Sequence, residues 1–269
     1  MLIYCNGDSF TSGHGLGDFV LPGYPGDQET SPPARSVTCL WVERWVKESY
    51  RNGSRKSMQE EVVKEEQARC WPTKLGQYGY EIINSSQAGA SMTRVARTTI
   101  TDLIQLKKTR DDVIAIICPA FFLRSEIYYD RTWWSINPAM AETYDAPQMR
   151  EYCRLVLEND SEYQTILKWY LAAIQIKDHC KCNNIPLIWI DSHNEYPTGN
   201  SAESSPDISL LHEYASIKYS ASMRSISING LCGKSYAADG HFSAEIHTAL
   251  AHLLNNIIKE VYGKGAYNR

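Results

Sequence analysis

The 269-residue chain has no long hydrophobic run, no large excess of one charge and no Pro/Gly/Ser-rich linker. Each absence excludes a class. The longest strongly apolar run, residues 113–123, falls short of the roughly 20 residues needed to span a bilayer. Lys and Arg number 27 against 31 Asp and Glu, a net charge of −4. Nothing in that balance attracts a polyanion, so no nucleic-acid partner is expected. The N-terminus lacks a basic region followed by an apolar stretch and a cleavage site, and it enters a strand at once. A cytoplasmic protein with no membrane partner is the expectation. Without a linker, one domain over 1–269 is expected, with insertions around 10–70 and 120–150.

Zinc-type spacing is also missing. The eight cysteines are scattered, and Cys5 and Cys118 fall in apolar runs where a reduced thiol acts as a small hydrophobe. His179-Cys180-Lys181-Cys182 has no second Cys/His pair to complete a tetrahedral site. It reads as a helix end with ordinary thiols, and neither metal nor cofactor is expected.

What is present is an alternation of short buried strands with amphipathic helices. Strands are predicted at 2–5, 80–84, 113–118, 185–190 and 225–228. Residues 113–118, Val-Ile-Ala-Ile-Ile-Cys, look buried on both faces, as in a central parallel strand. Helices are predicted at 37–50, 71–78, 93–108, 162–183, 210–221 and 243–262, with Ser243 or Asp239 as a cap for the last. Residues 10–33, with five glycines and four prolines, read as a long loop. The charged stretch 51–69 reads as a solvated helix or insertion. Residues 124–148 carry Tyr128, Tyr129, Trp133, Trp134 and Tyr144 without a clear period, either packing an insertion or lining a cleft. Alternating strands and helices imply right-handed crossovers and a mainly parallel sheet covered on both faces. In such sheets the ligand crevice lies beyond the carboxyl ends of the strands.

Gly7-Asp8-Ser9-Phe10 sits at such a strand end, and Asp239-Gly240-His241 precedes the last helix. The first supplies a candidate nucleophile in Ser9. A serine hydroxyl needs a base to take its proton, for which His241 is the candidate, with Asp239 orienting the imidazole. The tetrahedral oxyanion then needs donors, and the backbone N–H groups of Ser9 and Gly89 are the candidates.

These blocks, with Asn84-Ser85-Ser86-Gln87-Ala88-Gly89 between them, resemble those of the SGNH (GDSL-type) hydrolase family, in family order and across nearly the whole chain. The resemblance implies a flavodoxin-like three-layer α/β/α sandwich with a mainly parallel five-stranded sheet, and ester hydrolysis through an acyl-serine. Two departures stand out. The family's Gly-x-Asn-Asp block after the third strand is replaced by Cys118-Pro119-Ala120-Phe121-Phe122-Leu123-Arg124-Ser125-Glu126, which has no asparagine for the oxyanion hole. Arg124, held by Glu126, could bring positive charge to the substrate instead; the alternative is an exposed ion pair. Asp239 also precedes His241 by two positions rather than the usual three. The expected function is a serine esterase acting on the O-acyl or O-acetyl ester of a carbohydrate or small molecule. The alternatives are a catalytically impaired scaffold binding a glycan or protein, and an O-acyltransferase.

Overall fold

The computed structural model describes residues 1–12, 59–122, 124–129, 131–136, 147–159, 162–191, 210–211, 223–227 and 243–262. They fall into two compact units. The first comprises residues 1–8 and 85–226, the second residues 9–84 and 227–269.

The first unit is built on a parallel sheet. Strand β1 (Leu2–Gly7) pairs with β3 (Val113–Cys118) along its whole length, from Leu2↔Val113 to Gly7↔Cys118. Strand β3 pairs in parallel with β6 (Leu187–Asp191), and β7 (Met223–Ser227) follows β6 in the strand order. Every residue of β1 and β3 is buried, as a strand covered on both faces requires. Helix α4 (Met92–Lys107) turns Met92, Val95, Ala96, Thr99 and Leu103 inward at helical spacing and packs against β1 and α6 (Glu162–Cys182). Its first turn is capped by Ser91, whose hydroxyl accepts from Arg94 N at 3.1 Å. The chain is thus α/β, with a mostly parallel sheet and flanking helices.

A two-stranded antiparallel hairpin of β4 (Ser125–Tyr129) and β5 (Thr132–Ile136) follows β3. Arg131 stands at its turn with φ 60°, the positive φ that two-residue hairpin turns demand. Ile127 and Ile136 pack with Met149, Tyr152 and Cys153 of α5 (Pro147–Asn159). On the other face Tyr128 and Trp133 stay exposed, rings tilted at 5.3 Å. Both faces therefore carry apolar side chains. That is why the sequence shows no alternation here and why the hairpin is not legible in it; α5 does carry Met149, Tyr152 and Cys153 at helical spacing, a signal the sequence reading passed over.

In the second unit, α1 (Ser9–Ser12), α2 (Gln59–Arg69), α3 (Trp71–Gly76), β2 (Glu81–Asn84) and α7 (Ala244–Val261) are described. Pro72 sits in the first turn of α3, where its missing N–H costs nothing. Helix α3 packs on α7: Trp71 N donates to His247 Nδ1 at 3.0 Å, and Trp71, Leu75, Leu250 and Leu254 are buried. Ser243 caps α7, accepting from Ile246 N at 3.4 Å. Of the charged stretch 51–69, residues 51–58 lie outside the described residues; in α2 Glu61 and Lys64 are exposed, Glu65 and Arg69 are half-buried, and Val62 and Glu66 are buried. The predicted helix 37–50, most of the loop 10–33, and nearly all of the predicted helix 210–221 lie outside the described residues. Among the described residues no helix is long and apolar enough to cross a membrane.

Candidate active site

Within the first unit the carboxyl ends of the strands gather the residues that the sequence singles out. Gly7 lies beside Cys118 at the ends of β1 and β3. On the other edge of β1, Ser85 N donates to Cys5 O at 2.9 Å and Gln87 N to Gly7 O at 3.2 Å. The chain then turns: Ala90 N donates back to Gln87 O at 3.0 Å. Gly89 is the third residue of that turn, with φ 76°. A Cβ there would meet no atom within 4 Å, so the backbone angle rather than crowding calls for glycine. Gly89 therefore stands in a turn just beyond the stretch that hydrogen-bonds to the end of β1.

Asp8, the first residue past β1, is completely buried. Its carboxylate accepts from Arg124 Nη1 at 2.9 Å, and the Arg124 side chain is only 17% exposed. This corrects two expectations. The partner of Arg124 is Asp8, not Glu126. The pair is also largely buried rather than an exposed one of little consequence. Glu126 is taken by Arg97, whose Nε and Nη2 donate to its two carboxylate oxygens at 3.1 and 2.8 Å. That guanidinium also lies over the Trp133 ring, 4.0 Å from its centroid. The preference is geometric. Arg97 on α4 meets the first residues of β4 in a fork-to-fork arrangement, leaving Arg124 to face the end of β1.

Beneath this pair lies a polar network that sequence reasoning missed. Asn6, within an otherwise apolar strand, is fully buried. Its Nδ2 lies 2.8 Å from Thr98 Oγ1, 2.9 Å from Thr99 Oγ1 and 3.1 Å from Tyr4 OH, and its Oδ1 accepts from Gly7 N at 2.8 Å. Tyr4 OH and Ser85 Oγ both donate to Asp102 Oδ2, at 2.9 and 2.8 Å. Burial pushes the Tyr4 phenol far above its ordinary range, so it stays a donor to Asp102. Burial, and then the neighbouring Arg97 charge, pull the Arg94 guanidinium below its usual value; its Nη1 donates to Ser85 O at 3.3 Å. The network ties β1, α4 and the start of the Gly89 loop into one rigid support. Its only signal in the sequence is the lone asparagine in the first strand.

Ser9 follows Asp8 directly and opens α1 in the second unit. Asp239 and His241 lie outside the described residues. The structure thus brings Asp8, Arg124, Gly7 and the Gly89 turn to one end of the first unit's sheet, with Ser9 next in the chain. The chain matches no protein-family model, and comparison with curated proteins returns no significant relative.

Proposed function

We propose that the protein is a serine esterase of the SGNH type, hydrolysing an O-acyl ester of a small molecule or carbohydrate. The observation that carries the reading is the placement of Gly7-Asp8-Ser9: β1 ends at Gly7, Asp8 is locked by Arg124, and Ser9 is the next residue. In this reading Ser9 Oγ attacks the ester carbonyl while its proton passes to His241, oriented by Asp239. The tetrahedral oxyanion is held by the N–H groups of Ser9 and Gly89. Its collapse expels the alcohol, which takes the proton from His241. Water then attacks the acyl-serine by the same route in reverse, releasing the acid and restoring Ser9. No cofactor enters these steps. The five-stranded, three-layer α/β/α sandwich expected from the resemblance belongs to the same proposal.

The stretch after β3 offers no asparagine as a third oxyanion donor, a group whose loss costs about 100- to 1,000-fold in rate in other serine hydrolases. Turnover should accordingly be slow. The Ser9→Ala variant should lose labelling by a fluorophosphonate probe and lower p-nitrophenyl acetate hydrolysis by about a thousandfold or more, with an unchanged circular dichroism spectrum. Full turnover by that variant would reject the mechanism. The exposed Tyr128–Trp133 face favours the second reading, a glycan-binding scaffold without chemistry. Oligosaccharide binding by a protein that the probe never labels would establish it. Acyl transfer differs only in the acceptor, and product analysis with and without added alcohols separates it from hydrolysis.

A further inference from the structure

Asn6 breaks the pattern of its strand. β1 and its neighbour β3 are buried throughout, and β3 runs Val-Ile-Ala-Ile-Ile-Cys with no polar side chain. Asn6 stands beside Ile117 of β3 and is itself 0% exposed. An apolar side chain there would fill the core without the cost of burying an amide. A local rule broken inside an otherwise consistent strand is the kind of conflict expected at functional sites.

The amide is used at both ends. Oδ1 accepts from Gly7 N at 2.8 Å, and Gly7 O accepts in turn from Gln87 N at 3.2 Å. Gly7 is thus held on one side by Asn6 and on the other by the stretch that leads into the Gly89 turn. Nδ2 carries two protons and lies within 3.1 Å of three hydroxyls, those of Thr98, Thr99 and Tyr4. The Tyr4 hydroxyl donates to Asp102, which also accepts from Ser85 Oγ, two residues before Gln87. Asn6 therefore joins the end of β1 to residues 85–90 by two routes, one through the Gly7 backbone and one through Tyr4 and Asp102. A buried network whose members are satisfied rigidifies what it joins.

What it joins are the segments that carry the two candidate oxyanion donors. Gly89 N–H makes no hydrogen bond among the described residues, so the donor is available. Ser9 N–H lies in the planar peptide unit that begins at Asp8 Cα, and Asp8 is held by Arg124. That donor is set by the end of β1, and nothing is asked of the Ser9 side chain. Such donors are effective when their placement is fixed before charge develops.

We infer that Asn6 is a positioning residue for the oxyanion hole: acting through Gly7 and residues 85–90, it fixes the backbone donors of Ser9 and Gly89 relative to one another. The inference rests on the esterase reading.

The test is Asn6→Leu, which keeps the branched shape and removes both amide groups, beside Thr99→Val, a milder change that removes one acceptor of Nδ2. Fluorophosphonate labelling taken to its end point counts competent sites, so kcat is expressed per site whatever fraction is folded. Misplacing a catalytic group by about 1 Å costs up to about 100-fold. Asn6→Leu should lower kcat for p-nitrophenyl acetate about 10- to 100-fold, with KM changed less than about twofold. Thr99→Val should lower it about two- to tenfold, and it carries the comparison if Asn6→Leu does not fold. Inhibition by a trifluoromethyl ketone, whose serine adduct bears an oxyanion, should weaken by the same factor as kcat; a loss of stability alone does not produce that match. Unchanged kcat per site in both variants would overturn the inference. Amide hydrogen exchange at Ser85, Gln87 and Ala90, measured relative to the β3 amides, separates the two readings. A wild type that neither labels nor turns over ester rejects the esterase. Faster exchange at those amides in the variants would then sustain Asn6 as the residue that places the turn, and unchanged exchange would overturn that role as well.

Discussion

Removing the Arg124 side chain tests whether the end of β1 depends on a buried ion pair. Asp8 is fully buried and Arg124 is 17% exposed. In Arg124→Met the Asp8 carboxylate would lose its 2.9 Å salt bridge inside the protein. Breaking a buried pair from one side costs about 3–5 kcal/mol, and the partial exposure of Arg124 places the expected loss at the lower end, near 3 kcal/mol. With a urea m value of about 3 kcal/mol/M, typical of a larger domain, the midpoint should fall by about 1 M. Asp8→Asn leaves a partly solvated guanidinium and should cost less. The informative quantity is the coupling across the cycle of Arg124→Met, Asp8→Asn and the double variant, measured by urea unfolding with tryptophan fluorescence. It should be about 1.5–2 kcal/mol, and change little between 0.1 and 1 M salt, because a buried pair is poorly screened. A coupling below about 0.5 kcal/mol that vanishes in salt would show the pair to behave as a surface one, and the account of Asp8 as a fixed anchor beside Ser9 would fail.

Other outcomes follow from local geometry. Gly89→Ala should lower stability by about 1–2 kcal/mol, although a Cβ there meets nothing within 4 Å, because the penalty is the φ of 76°. Gly89→Asn, which tolerates that region, should recover part of the loss in the same urea assay. Ser91→Ala removes the acceptor for Arg94 N and should cost about 1 kcal/mol, seen as a lower thermal midpoint. Burial pushes the Cys180 thiol up to about 12, so at pH 8 it holds almost no thiolate, while Cys182 is exposed. Mass spectrometry of iodoacetamide-treated native protein should find Cys182 modified and Cys180 intact; early modification of Cys180 would show that the end of α6 opens.

Much of the first unit is legible before any coordinates. The run Val113–Cys118 has no polar position, so only a strand buried on both faces suits it. The apolar spacing within Met92–Lys107 admits one inward face. Such patterns are local: they repeat over 2 or 3.6 residues and are written in consecutive side chains. The hairpin β4–β5 escapes because its outer face carries Tyr128 and Trp133, which erases the alternation a half-buried strand shows.

The candidate nucleophile is likewise a matter of sequence, since a Gly-Asp-Ser at the end of an apolar run can be recognised in one dimension. What holds that serine's neighbour cannot be. Arg124 stands two positions from Glu126 and 116 from Asp8, and proximity along the chain favours the wrong partner. Only the folded path decides, by laying the ends of β1 and β3 side by side and presenting Arg97 from α4 to Glu126. Hydrophobic burial depends on residue type and period, which the sequence carries openly. A buried charge pair depends on which two distant points the fold brings within 3 Å, and that is known only once the sheet is assembled.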